Sequence, residues 1–190
     1  MVNKVLNLFE ATTIPSYDRI TSDSIHFVVL YAFVRALEPD VCVEIGSRLG
    51  HSALWTAQAL KDNGKGHLWC IDPFIGCGKD KKPDFLQTIK SGNVVDIITL
   101  IEDYSQNVVN KIPEMEFLFI DGAHDERSCY QDIINYVPKL KVGGIVLFHD
   151  YKPETGTGVK AAIDKYNFSD FKSIPLPTWN YCMWAEVRVK

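Results

Sequence analysis

The sequence predicts a doubly wound α/β domain, a mostly parallel β-sheet with helices on both faces. Three observations carry that expectation. Short apolar runs recur along the chain, and each is followed by a stretch with apolar residues at three- and four-residue spacing. Strands alternating with helices in this way build parallel sheets, and near-continuous apolar runs mark strands buried on both faces. At 190 residues, 46% of them hydrophobic and 23% charged, the chain is long enough for one core and too short for two. One domain is expected, with residues 1–40 as an N-terminal helical cover and residues 41–190 as the α/β unit.

In order along the chain, "SDSIHFVVLYAFVRALEPD" reads as a helix, with Ser22 or Ser24 as N-cap and Pro39 as its stop. It would cover the sheet or a second subunit, which makes a homo-oligomer through this helix an expectation. Strands are read at 41–46, 67–72, 96–102, 117–122 and 144–150. The intervening "SALWTAQALKD", "PDFLQTIKSG", "SQNVVNKI" and "ERSCYQDIINYVPKL" are read as helices. The tail "FKSIPLPTWNYCMWAEVRV" differs: two extended runs are joined through Pro175, Pro177 and Asn180 without a helix, so an antiparallel pair should close one sheet edge.

Composition excludes several classes of function. The net charge is -4, no long block of like charges occurs, and the Lys79, Lys81 and Lys82 group looks like a solvated loop, so nucleic acid is not an expected partner. No apolar stretch of about 18 residues and no secretory leader pattern is seen, so a soluble, cytoplasmic protein without a membrane partner is expected. Five cysteines without a C-x-x-C pair fit reduced thiols, with Cys42 and Cys70 packed inside strands.

Glu44, Asp72, Asp121 and the pair His149–Asp150 all fall at the ends of expected strands, where open α/β sheets bind ligands. Taken singly, each acid has a structural reading as a strand-ending or capping residue; together they favour a site. The first turn, "VCVEIGSRLGHSALWTAQAL", has Glu44, Gly46 and Gly50 in place of the G-x-G-x-x-G that cradles a pyrophosphate. An acid there repels a diphosphate and suits a cationic ligand. Asp72, at the end of the next strand, is placed to take both hydroxyls of a ribose. A positively charged nucleoside without phosphate matches S-adenosylmethionine.

The segments "VEIGSRLGHSALWTAQAL", "LWCIDPF", "FLFIDGAHDERSCYQDI" and "LKVGGIVLFHDY" resemble, in order and spacing, the class I S-adenosylmethionine-dependent methyltransferases. The likeness is to the small O-methyltransferases related to the catechol, caffeoyl-coenzyme A and macrocin-type enzymes. It runs from about Val41 to Lys165 and implies a seven-stranded Rossmann-like sheet whose last strand is antiparallel. It also implies that Glu44, Gly46, Ser47, Gly50 and Ser52 form the first cofactor motif. Asp72 would bind the ribose, with Pro73 and Phe74 beside the adenine. The third motif departs from the family's Gly-Asp-Ser, reading Asp103, Tyr104 and Ser105, so the adenine contacts of Tyr104 and Ser105 stay open. Asp121 matches a metal-binding aspartate also near the cofactor, and His149 and Asp150 fall where relatives place two further ligands.

Oxygen ligands alone suit Mg²⁺, whereas an imidazole shifts preference toward Mn²⁺, Fe²⁺ or Zn²⁺. His124 reads either as a catalytic base or as a turn residue, and His149 is a second base candidate. His26, His51 and His67 are read as structural, and Trp55, Trp69 and Trp184 as core, with Trp179 a candidate wall of the acceptor pocket. The expected reaction is transfer of a methyl group to a hydroxyl oxygen of a small molecule, with a divalent metal. A metal-independent methyltransferase, a non-catalytic S-adenosylmethionine-binding protein and, further off, a nicotinamide-dependent oxidoreductase stand as alternatives. The loop "FIGCGKDKKPD" and the tail would shape the acceptor pocket, and catechol, sugar hydroxyl, carboxylate and nitrogen acceptors all stay open.

Overall fold

In the computed structural model, residues 22–75, 81–152, 158–174, 176 and 183–190 are described. Seven strands form one sheet: β1 Val41–Ile45, β2 His67–Ile71, β3 Ile98–Ile101, β4 Met115–Ile120, β5 Leu140–His149, β6 Phe171–Ile174 and β7 Met183–Arg188. The helices are α1 Ser22–Leu37, α2 His51–Asn63, α3 Lys82–Ser91, α4 Ser105–Val108, α5 Glu126–Tyr136 and α6 Gly158–Lys165. The strand order is β3-β2-β1-β4-β5-β7-β6. Pairs among β1 to β5 are parallel, while β7 runs antiparallel between β5 and β6. The tail is the antiparallel pair that its pattern predicts, and the whole is a Rossmann-like sheet.

Alternation along β4 explains the two layers. Phe117 and Phe119 face a core built with Leu30, Val34, Trp55, Leu60 and Phe85 from α1, α2 and α3. Leu118 and Ile120 face the opposite core, with Ile133 and Tyr136 of α5 and Ile163 of α6. Cys42 and Cys70 are fully buried in β1 and β2.

Several boundaries differ from the sequence expectation, and β4 runs Met115–Ile120 rather than 117–122. β5 begins at Leu140 rather than 144, because Leu140 pairs with Met115 ahead of a register shift while residues 141–143 stay exposed. The stretch "SQNVVNKI" makes only the short α4 and a 3₁₀ turn, Val109–Lys111. Adjacent β-branched valines, Asn110 and the constraint of Pro113 on the residue before it disfavour a longer helix. Residues 95–97 likewise form a 3₁₀ turn ahead of β3.

α1 packs along α2 and is bonded to its last turn: Tyr31 Oη donates to Asp62 Oδ2 at 2.5 Å, and Asn63 Nδ2 donates to the Val34 carbonyl at 3.0 Å. The expected N-cap side chains of Ser22 and Ser24 lie outside the described residues, as do Lys79, Cys77, Trp179 and Cys182. No helix among the described residues is long and apolar enough to cross a membrane.

Candidate active site

The carboxyl ends of β1, β2 and β4 carry their hydrogen-bond ladder one residue past the strands. Gly46 N–H donates to the Ile71 carbonyl at 2.9 Å, Asp72 N–H to Ile101 at 3.1 Å and Asp121 N–H to Ile45 at 2.8 Å. These residues are therefore fixed to the sheet rather than carried on free loops. β1 has β2 on one side and β4 on the other, so the strand order reverses here, and the crevice at such a point is where open sheets bind ligands. A cavity of about 1090 Å³ opens there. Gly46, Asp72, Pro73, Phe74, Tyr104, Ser105, Asp121, His124, His149 and Asp150 line it, whereas Glu44, Ser47, Gly50 and Ser52 do not.

The Asp72 carboxylate is aimed by two backbone donors: Arg48 N–H reaches Oδ2 at 2.7 Å and Phe74 N–H reaches Oδ1 at 2.6 Å. Both donors sit at positive φ, 43° for Arg48 and 51° for Phe74, and Asp150 is a third such cavity residue at 54°. Non-glycine residues in this region are strained and persist where surrounding structure holds them, often around ligand sites. The Phe74 ring turns away into the core, 5.7 Å from the Phe85 ring and buried. Its backbone therefore serves Asp72, and its ring is a packing residue.

Glu44 lies behind the turn, 1% exposed. Ser52 Oγ donates to its Oε1 at 3.0 Å, while Oε2 and Ser47 Oγ are both buried with no hydrogen-bond partner among the described residues. Burial pushes the carboxyl up to about 8; the Ser52 hydroxyl opposes that shift, and the Asp121 and Asp72 charges add to it. Gly46 takes φ 88°, and a Cβ there would stand 2.1 Å from the Asp121 carbonyl oxygen. Gly50 takes φ 79° and leads into α2, its missing side chain leaving room for Phe85.

Over the ends of β4 and β5 the charged groups converge. His149 Nδ1 lies 2.9 Å from Asp150 Oδ2 and 3.2 Å from Asp121 Oδ1, and its Nε2 lies 3.0 Å from His26 Nδ1. Burial opposes charging of His149, yet the two carboxylates outweigh it and carry the ring to about 10. The same pairing with His149 holds Asp150 down to about 2. His124 Nε2 is 3.2 Å from Asp150 Oδ2 and 3.7 Å from Asp121 Oδ1; the nearby Asp121 and Asp150 carboxylates raise its pKa against partial desolvation. Among the described residues, Asp121, His124 and Asp150 form a group whose ligand atoms all lie within 4.8 Å of one another. His149, the third ligand in the sequence reading, lies 3.2 Å from Asp121 Oδ1 and 2.9 Å from Asp150 Oδ2. His149 borders the group, with one nitrogen on the carboxylates and the other on His26.

Sequence reasoning missed Asp132, Gln106, Arg48 and Arg127, which also line the cavity, and read Lys81, another lining residue, as solvated. Asp132 is 5% exposed, accepts from Ser105 Oγ, and is pushed up to about 6 by burial. Tyr136 Oη donates to the Ser105 carbonyl at 2.7 Å, so α5 holds the turn after β3 at two points. The signal was present: Asp132 sits on the same helical stripe as Cys129, Ile133 and Tyr136, where a lone acid among buried residues marks a partnered site.

A family model described as a methyltransferase domain matches residues 43–151. Among solved structures, the O-methyltransferase TomG from Streptomyces achromogenes, involved in tomaymycin synthesis and in complex with SAM, superposes with a TM-score of 0.69 at 12% identity, covering 90% of this chain and 82% of that one. A putative caffeoyl-CoA O-methyltransferase from Staphylococcus aureus gives 0.69 at 16% identity, covering 97% and 91%. An O-methyltransferase from Bacillus cereus in complex with SAH gives 0.68 at 14% identity, covering 100% and 90%. At these identities the structural likeness speaks for the fold, while the family match spans more than half of the chain. The chain belongs to the methyltransferase-domain family and carries the fold of the small class I O-methyltransferases.

Proposed function

We propose that the protein transfers a methyl group from S-adenosylmethionine to a hydroxyl oxygen of a small molecule, with a divalent cation at Asp121, His124 and Asp150. One observation carries the reading: a single cavity holds the backbone-aimed Asp72 carboxylate over the β2 end and the Asp121–His124–Asp150 group over the β4 and β5 ends. Its volume of about 1090 Å³ leaves room for an acceptor beside a nucleoside-sized cofactor.

The residues present fit both groups. Asp72 would take the ribose hydroxyls, and Gly46 brings bare backbone to the cavity. The orphaned Glu44 Oε2 and Ser47 Oγ behind it leave polar capacity for an ordered water. Two carboxylates and an imidazole suit Mn²⁺ better than Mg²⁺, which prefers oxygen ligands alone. When bound, the cofactor supplies an electrophilic methyl on a sulfonium and the cation lowers the pKa of a hydroxyl. The chain's own tasks are alignment and exclusion of water. With the cation bound, His124 would be its ligand and not a base; in a metal-independent reaction His124, on the exposed wall of the cavity, is better placed to receive the acceptor's proton than His149, both of whose nitrogens are engaged.

A metal-independent reaction has one specific observation in its favour. His149, between Asp121 and Asp150, and Lys152, 3.7 Å from Asp150, already offset the two carboxylates without an ion. The test is methyl transfer from labelled S-adenosylmethionine to a panel of catechols, phenols and sugars, in EDTA and after Mg²⁺ or Mn²⁺ add-back. Transfer lost in EDTA and restored by the ion is expected. Full turnover in EDTA would assign the site to His124 alone, and no transfer to any hydroxyl would overturn the acceptor class.

A further inference from the structure

We propose that His26, on the N-terminal helix α1, is a positioning residue for the candidate site, holding the His149 ring so that its Nδ1 edge faces Asp121 and Asp150. The proposal rests on the methyltransferase reading only for the reaction that this edge serves. The two histidines stand 123 positions apart in sequence, yet His26 Nδ1 lies 3.0 Å from His149 Nε2, with the rings edge to face at a centroid distance of 4.8 Å and 82°. His26 is 4% exposed, and Phe119 meets the His149 ring edge-on at 6.2 Å.

An imidazole turns about χ2 in two broad wells. A half-turn of His149 would put a carbon where Nδ1 now meets the carboxylates and another carbon where Nε2 now meets His26. The carboxylates select one edge of the ring, and His26 selects the opposite one. An N–H···N contact between two imidazoles holds one proton, so the contact also couples the tautomers of the two rings. α1 can act in this way because it is fastened at its other end, through Tyr31 to Asp62 and through Val34 to Asn63. The helix lies outside the segment matched by the family model, residues 43–151, so a part of the chain beyond that match completes the site.

The experiment is NMR at one fixed pH on the full chain with ¹⁵N-labelled histidine, reading the two-bond coupling across the hydrogen bond between His26 Nδ1 and His149 Nε2. A resolved coupling is expected in the wild type. His26→Asn places an amide where Nδ1 was and should leave the His149 ring-nitrogen shifts close to wild type, whereas His26→Leu should displace them. Absence of the coupling in the wild type overturns the proposal, as do unmoved His149 shifts in His26→Leu. Should the leucine variant fail to fold, the wild-type coupling and the asparagine variant decide. Failure of the wild type to bind S-adenosylhomocysteine would count against the methyltransferase reading and leave the coupling result standing.

Discussion

At the scale of single residues, Glu44 makes the sharpest prediction. Its folded-state pKa, about 8, lies above the ordinary glutamate value of about 4.3, so near neutral pH the folded chain holds a proton that the unfolded chain has lost. The resulting stability is complete below about pH 4 and is lost as pH rises through about 8. Glu44→Gln keeps the shape and the neutral state at every pH. Thermal unfolding of the two proteins should therefore show the variant gaining on the wild type between about pH 5 and pH 8. Parallel pH profiles would show that Glu44 is ionised in its burial. The sequence marked Glu44 as a ligand-facing acid because its strand position is plain. Its retreat behind Gly46 depends on how the turn closes over it, and one strand's pattern carries no trace of that.

At the scale of elements, the turn from β1 into α2 shows two reasons for glycine. Gly46 needs positive φ and also room, since a Cβ would meet the Asp121 carbonyl oxygen at 2.1 Å, whereas Gly64, after α2, needs only φ 71° with nothing within 4 Å. Gly64→Ala should cost roughly 1–2 kcal/mol, the left-handed penalty alone. Gly46→Ala should cost several times that in urea unfolding, or fold with Asp121 displaced from the cavity. Equal costs would refute the packing role. Parallel strands were legible because runs such as "FLFIDG" leave no polar face, and the site was legible because Asp72, Asp121 and Asp150 directly follow such runs. Asp132 was not, since an acid on a helix reads as solvated until its stripe is found buried. His26 was not either, because its partner belongs to another layer of the fold and no local pattern links them.

At the scale of the molecule, two helical layers close on a sheet whose strand order reverses beside β1, and the ladder beyond the strand ends places Gly46, Asp72 and Asp121 around one crevice. Whether this crevice takes an S-adenosyl nucleoside through Asp72 is read by titration calorimetry of the wild type and Asp72→Ala with S-adenosylhomocysteine, with NAD as the control. One site per chain for S-adenosylhomocysteine is expected, with no comparable binding of NAD. At least about a tenfold loss of affinity is expected in the variant, since charge-assisted hydrogen bonds contribute roughly 1.5–3 kcal/mol each. Equal affinity in a folded Asp72→Ala, or tighter binding of NAD than of S-adenosylhomocysteine, would contradict such binding.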